Sequence, residues 1–428
     1  MDKSLGQKIR EWRMRKGITQ TELAEGLVTP SMISQIESDK ANPSFKLLEG
    51  ISRKLNVPID EFLMDMQDQL EEDTRYKLAK SLMGSHDYKK AIQVLESLEG
   101  IDEHHTEEIK LDLADAYVFA KEFDKANKLL EGMIDEIALE RDRSKAVKLY
   151  MKLGWARMNS NNYVLAKHYL NQALKELSKV NDLPNEDRGI LLSRYALTVS
   201  YLGEASVALI YYKNAIEMFQ GTSNLFMLGQ AYQGLANTYW RLQDFKQAAE
   251  TTRTAITMFR SVNNRVQEYR AKQNYGIMQY ELGNFTEAQN VFEECIEEFK
   301  SVGNEELIAN AYGEMGNLNL RMKEYQETEK WSFKALELLP AEHSERAFVY
   351  RTLGILYKEL QNYDRSLEYM LSSVGLFEKF GLLGEVSKCY ALIVSIYDSR
   401  GELDKASDYM QKMTTSMQEG LRVRGLYL

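Results

Sequence analysis

Along the chain, apolar positions recur three and four residues apart with polar positions between them, which predicts helices buried along one face. Near the N-terminus these helices are short and their ends are marked. Leu5, Ile9 and Trp12 share one face, and Gly17 closes that helix. Thr19, with Glu22 three residues on, opens a second helix as a capping box, and Leu23, Ala24 and Leu27 form its buried side. Thr29 followed by Pro30 opens a third. Over Pro30–Ser38 the buried positions are Ile33 and Ile36, which leaves Ser31, Met32, Ser34 and Gln35 facing outward. Two short helices joined by a tight turn form a helix-turn-helix, whose second helix suits the major groove of DNA.

Farther on, the pattern becomes a repeat. A polar turn leads into an anchor residue, usually aromatic, with a small residue three places on. The motif occurs at Tyr88, Phe123, Tyr163, Ala205, Phe245, Phe285, Tyr325, Tyr363 and Leu403, at spacings of 35 to 42 residues and most often 40. A fixed period in this range predicts a solenoid of helical hairpins, one helix before each anchor and one after it. Nine residues before the anchor stands a small residue (Gly154, Gly276, Gly316 and Gly354, or Ala79, Ala114, Ala196 and Ala236), which lets the two helices approach closely. Nine anchors predict nine hairpins, and the fold class is all-α.

Composition sharpens the division. Of 5 prolines, Pro30, Pro43 and Pro58 lie near the start, and Pro184 and Pro340 fall between hairpins. Up to Pro58 there are ten basic and seven acidic residues, a net +3, so the rest carries −13 of the chain's net −10. The expected organisation is a DNA-binding domain at 1–65, a polar linker at 66–75 and a repeat domain at 76–428. The N-terminus has no signal-like apolar run and no stretch is long enough to span a membrane, so a cytoplasmic protein without membrane contact is expected. Cys295 and Cys389 form neither a metal pair nor a disulfide framework. No phosphate-binding loop, nucleophile elbow or spaced histidine pair occurs, so no catalytic residue, metal or cofactor is expected.

Residues 6–63 resemble the Cro/C1-type (Xre) helix-turn-helix family. The residues that carry the likeness are Thr19-Gln20-x-Glu22-Leu23-Ala24, Ile33-Ser34-Gln35-Ile36-Glu37, Asn42-Pro43-Ser44 and Leu55-x-Val57-Pro58-x-Asp60-Glu61-Phe62-Leu63. The resemblance implies a phosphate contact by Gln20 and base reading by the start and middle of the third helix. It also implies a backbone contact by the Asn42–Ser44 loop and a structural ion pair between Arg13 and Glu37. The DNA-binding set is therefore Gln20, Ser31, Met32, Ser34, Gln35, Asn42 and Ser44. The early Gly26 in the turn, Leu23-Ala24-Glu25-Gly26-Leu27-Val28-Thr29, is similar to the RRNPP group of Gram-positive bacteria (Rap, Rgg, NprR, PlcR and PrgX), and length and layout resemble its NprR branch.

The repeat resembles the tetratricopeptide repeat, in a long form similar to the same group, which implies a right-handed superhelix with an inner groove lined by the first helix of each hairpin. Inner positions then lie 15, 12, 8, 5 and 4 residues before each anchor. In the middle repeats they include Gln230, Gln233, Asn237, Arg241, Gln273, Asn310, Asn317, Arg321 and Arg351. Amides can clamp the backbone of an extended peptide, and arginines can take its carboxylate. The resemblance implies a quorum-sensing transcription regulator that binds a two-fold operator in double-stranded DNA as a homo-dimer or tetramer and is controlled by a short linear signal peptide. The alternative it implies is a Rap-like adaptor that captures a response-regulator protein and modulates its phosphorylation.

Overall fold

The computed structural model describes residues 4–41, 43–98, 106–136, 142–180, 182–424 and 426. Its described residues form 22 helices and two compact units, residues 1–129 and 130–428.

The first unit opens with α1 (Leu5–Arg15), α2 (Gln20–Ala24), α3 (Pro30–Glu37) and α4 (Phe45–Leu55). Thr19 and Glu22 form the expected capping box, Thr29 caps α3 through the amide of Met32, and Pro30 occupies the first helical turn. Gly26, in the turn between α2 and α3, has φ 73°, a conformation that glycine adopts without steric penalty. Leu5, Ile9, Leu23, Ile33, Ile36, Leu48, Ile51 and Phe62 are buried together as the core of this domain. Phe62 belongs to α5 (Asp60–Gly84), which runs unbroken through residues 66–75 and pairs with α6 (Tyr88–Leu98). The segment expected as a linker is therefore the middle of one long helix. The unit continues with α7 (Thr106–Phe119) and the start of α8 (Phe123–Glu136).

The second unit is an array of hairpins. The pairs are α9 (Arg143–Asn159) with α10 (Tyr163–Leu177), α11 (Asn185–Tyr201) with α12 (Ala205–Gln220), and α13 (Leu225–Arg241) with α14 (Phe245–Ser261). They continue as α15 (Arg265–Glu281) with α16 (Phe285–Val302), α17 (Glu305–Arg321) with α18 (Tyr325–Leu338), α19 (Ser344–Glu359) with α20 (Tyr363–Lys379), and α21 (Leu383–Ser399) with α22 (Leu403–Val423). Each of the nine anchors is the first residue of a second helix.

Two local devices close the hairpins, the first in all nine and the second in eight, Val394 standing nine before Leu403. The residue two before the anchor is left-handed in every case: His86, Lys121, Asn161, Gly203, Gln243, Gly283, Lys323, Gln361 and Gly401. The next amide then reaches back to the sixth carbonyl before the anchor, as in Asp244 N to Tyr239 O at 3.0 Å and Asn362 N to Tyr357 O at 2.8 Å. This is a Schellman turn, which satisfies the last carbonyls of the first helix while reversing the chain. The second device is the small residue nine before the anchor. It faces the side chain seven after it, so a Cβ on Gly154 would lie 2.5 Å from Leu170 and one on Gly276 2.6 Å from the Phe292 ring.

The second device yields a prediction with opposite signs at two glycines. Gly276→Ala forces Phe292 or the helix to shift and lowers stability by about 1–3 kcal/mol. Gly375→Ala, in the interior of α20 with nothing within 4 Å of the added carbon, raises it by up to about 1 kcal/mol. Thermal or urea unfolding of the two variants checks both signs.

Candidate functional site

Two surfaces carry the residues singled out by sequence. On α3, Ser31, Met32, Ser34 and Gln35 are exposed, while Ile33, Ile36 and Glu37 are buried beneath them. The helical period thus presents one polar stripe and sinks the other into the core. Glu37 organises the layer below. Its carboxylate accepts Arg13 Nε at 2.6 Å and Nη2 at 3.0 Å, and Gln20 Nε2 at 2.8 Å. Arg13 also donates through Nη1 to the carbonyl of Ile18 at 2.8 Å.

The expected Arg13–Glu37 pair is present. Gln20 is not a free side chain, because Glu37 holds its amide, which still retains a second N–H and its oxygen for another partner. Ser44 caps α4, its Oγ accepting from the amide of Leu47 at 3.3 Å, and is exposed. Asn42 lies outside the described residues. Two lysines are engaged by helix ends: Lys54 Nζ donates to the carbonyl of Glu22 at 2.9 Å, and Lys16 Nζ to that of Lys54 at 2.6 Å.

The second surface is the inner wall of the array. In the second unit, the substantial contacts between non-consecutive helices run from first helix to first helix: α9–α11, α11–α13, α15–α17, α17–α19 and α19–α21. First helices therefore crowd together on one side, and the nominated amides belong to them. Gln230, Asn237, Arg241 and Arg321 are exposed, Gln233, Asn310, Asn317 and Arg351 are half-buried, and Gln273 is buried. Gln233 Nε2 donates to Asn237 Oδ1 at 3.1 Å. Asn317 Oδ1 accepts from Thr352 Oγ1 at 2.6 Å across to the next hairpin.

Several polar atoms on this wall are buried with no hydrogen-bond partner: Ser193 Oγ, Gln233 Oε1, Gln273 Nε2 and Asn310 Oδ1. They come from four successive first helices, α11, α13, α15 and α17. Ser193, Gln233 and Gln273 stand in the same register, twelve residues before their anchors. Buried polar groups are ordinarily satisfied, so an aligned row of unmatched ones sets this wall apart. Ser193 was missed from sequence because a serine among helical residues gives little local signal.

Charge on the wall is distributed unevenly. Arg321 pairs with Glu281 at 2.8 Å, and Arg351 pairs with Glu385, so two of the three nominated arginines are paired within the protein. Burial pushes Glu385 up, but Lys388 and Arg351 outweigh it and hold the carboxyl below the usual carboxylate range. Arg241 has a different setting, with its guanidinium carbon 5.5 Å from the Tyr201 ring centroid and Nη1 donating to the carbonyl of Ser200 at 3.4 Å.

Glu314 lies between Asn310 and Asn317 on α17, and the sequence positions did not nominate it. Burial pushes its carboxyl up to about 7, against the hydrogen bond from Asn317 Nδ2 at 3.3 Å. Glu345 adds to that rise, and Arg351 opposes it. Burial also raises Glu345, with His343 pulling it back.

Among the described residues no helix is long and apolar enough to cross a membrane, and no group of three or more His, Cys, Asp or Glu is placed to hold a metal. Residues 9–62 match the helix-turn-helix family, and residues 82–148, 229–261 and 269–300 match tetratricopeptide-repeat families. No curated protein matches the sequence. Among solved structures, the apo form of RapI is similar with a TM-score of 0.61 at 11% identity, covering 83% of this chain and 99% of that one. NprR in complex with its cognate peptide NprX gives 0.51 at 15% identity, covering 73% of this chain and 89% of that one. Aspartyl phosphate phosphatase F from Bacillus subtilis gives 0.51 at 18% identity, covering 99% and 96%. The chain thus joins a helix-turn-helix domain to a tetratricopeptide-repeat array, and its fold is similar to those of RapI, NprR and aspartyl phosphate phosphatase F.

Proposed function

We propose that this protein is a sequence-specific DNA-binding transcription regulator whose repeat groove senses a short linear signal peptide. The observation that carries the reading is the row of buried, unpartnered polar atoms at Ser193, Gln233, Gln273 and Asn310. An extended peptide presents an N–H and a carbonyl at nearly every residue, and a row of amides can satisfy both whatever the side chains. Arg241, Arg321 and Arg351 were the nominated carboxylate partners. With Arg321 and Arg351 held by Glu281 and Glu385, the proposed partner of the peptide's carboxylate is Arg241. Glu314 is the proposed partner of an ammonium or guanidinium group.

On the DNA side, Ser31, Met32, Ser34 and Gln35 read bases, while Gln20, Asn42 and Ser44 position the domain on the phosphates. Control operates by population shift: the peptide favours one packing of the repeats, and that packing sets how two protomers dock on a two-fold operator. The likeness in fold to RapI supports a second reading, capture of a response-regulator protein. A pull-down with candidate response regulators separates the two.

Three outcomes are expected. Gln35→Ala weakens specific operator binding by about 1–3 kcal/mol in a gel-shift titration, and unchanged affinity removes Gln35 from the reading set. Asn237→Ala combined with Asn317→Ala weakens binding of a peptide selected from a synthetic library, measured by calorimetry, while DNA binding by the free protein stays intact.

The third outcome concerns pH. The folded-state pKa of Glu314 lies above its unfolded value, so the unfolded chain ionises first. The stability that the protonated carboxyl contributes is fully present below the ordinary glutamate range and is lost as pH rises through about 7. The melting temperature of the free protein therefore falls across that window, and Glu314→Gln flattens the fall.

A further inference from the structure

At the turns of three successive hairpins stands a group of side chains that the row of amides does not use. Tyr163, the first residue of α10, stacks on Tyr201, the last of α11, with ring centroids 4.8 Å apart and planes 16° from parallel. Arg241, the last residue of α13, lies over the Tyr201 ring and donates to the Ser200 carbonyl. Aromatic and cation–aromatic contacts thereby join the three turns.

A fourth side chain comes from the other end of the unit. Arg424 caps the end of α22, and its Nη2 stands 3.8 Å from the place a Cβ on Gly384 would take. Its charge is nevertheless felt at the unit's first hairpin. Burial pushes the Tyr163 hydroxyl up, Tyr201 adds to the rise, and two positive charges pull it back, Arg424 ahead of Arg241. The end of α22 therefore lies beside the Tyr163–Tyr201 stack, although five hairpins separate the two in the chain.

The charges around this group are unbalanced. Other arginines of the unit are held by carboxylates, as Arg260 is by Glu268, Arg400 by Asp364 and Arg422 by Glu419. Among the described residues neither Arg241 nor Arg424 forms an ion pair. Two guanidinium groups thus act on one hydroxyl with no carboxylate between them, in a chain whose residues after Pro58 carry −13. Like charges repel, and a carboxylate set between them removes the repulsion and gains charge-assisted hydrogen bonds from both.

We infer that Arg424 joins Arg241 in holding the C-terminal carboxylate of the peptide, so that the bound ligand ties the last helix of the array to the turns at Tyr163 and Tyr201. The inference rests on the proposed peptide reading and supplies its coupling. A ligand that touches only successive first helices biases the packing of neighbours. One held from both ends of the unit fixes how far the whole array is wound, which is a differential interaction with two states.

Calorimetry on the full-length protein tests this with a peptide selected from a synthetic library and made twice, with a free carboxylate and as the C-terminal amide. Arg424→Gln weakens binding of the acid by about tenfold or more and leaves the amide unchanged. Arg422→Gln, whose side chain is paired with Glu419, changes neither. The melting temperature of free Arg424→Gln stays near wild type, because the side chain is exposed. In a second measurement, the backbone amides in the last turn of α22 exchange hydrogen more slowly with the acid bound than with the amide bound. Equal affinities for acid and amide, an equal loss of both in Arg424→Gln, or equal exchange in the two complexes overturns the inference. In each of those cases the peptide reading still stands if Asn237→Ala with Asn317→Ala weakens both peptides. If no library peptide binds, the reading falls and the inference with it.

Discussion

Everything in the repeat region depends on how closely the two helices of a hairpin approach. That distance is set where a residue nine before the anchor meets a side chain seven after it, and at Gly154 against Leu170 and Gly276 against Phe292 there is no room for a methyl group. The left-handed residue two before each anchor makes the approach possible, because it reverses the chain within a Schellman turn. Six of the nine residues in that conformation are not glycine, so the turn is imposed by the hydrogen bonds and the packing around it more than by the residue's own preference. The connections between hairpins face no such constraint, and the period varies there.

Crowding first helices onto one side has a chemical consequence. Side chains that would be solvated on an isolated helix are brought under the neighbouring helices. Some find partners there, as Asn317 does with Thr352 and Arg321 with Glu281. Others do not, and Ser193, Gln233, Gln273 and Asn310 keep buried polar atoms unmatched. An orphaned buried group costs roughly 1–3 kcal/mol, so the row is a local destabilisation that the packing of the first helices imposes. The raised Glu314 carboxyl arises from the same burial and expresses it as a shifted protonation equilibrium.

The N-terminal domain uses a buried charge to a different end. Glu37 sits under the outward stripe of α3 and gathers Arg13 and Gln20. One carboxylate thereby links α1, α2 and α3, and Gln20 is oriented before any ligand arrives. Asp39, left-handed at φ 55°, completes the linkage: it accepts from Ser4 Oγ at 2.6 Å and from the Gly6 amide at 3.1 Å, tying the end of α3 to the start of α1.

What the amino-acid sequence determined by itself is what rests on short-range physics. Helix starts at Thr19 and Thr29, the outward set Ser31, Met32, Ser34 and Gln35, and the nine points where second helices begin all follow from capping, turn geometry and helical period, which involve residues within a few positions of one another. The tertiary structure decided what rests on neighbours distant in the chain. Arg321 and Arg351 read as free cations until Glu281 and Glu385, on adjacent first helices, neutralised them. Gln20 read as a free amide until Glu37 came within reach. Ser193 and Glu314 carried no local sign of their setting, because burial and unmatched hydrogen-bonding capacity are properties of the packed wall and come into being only when successive hairpins stack.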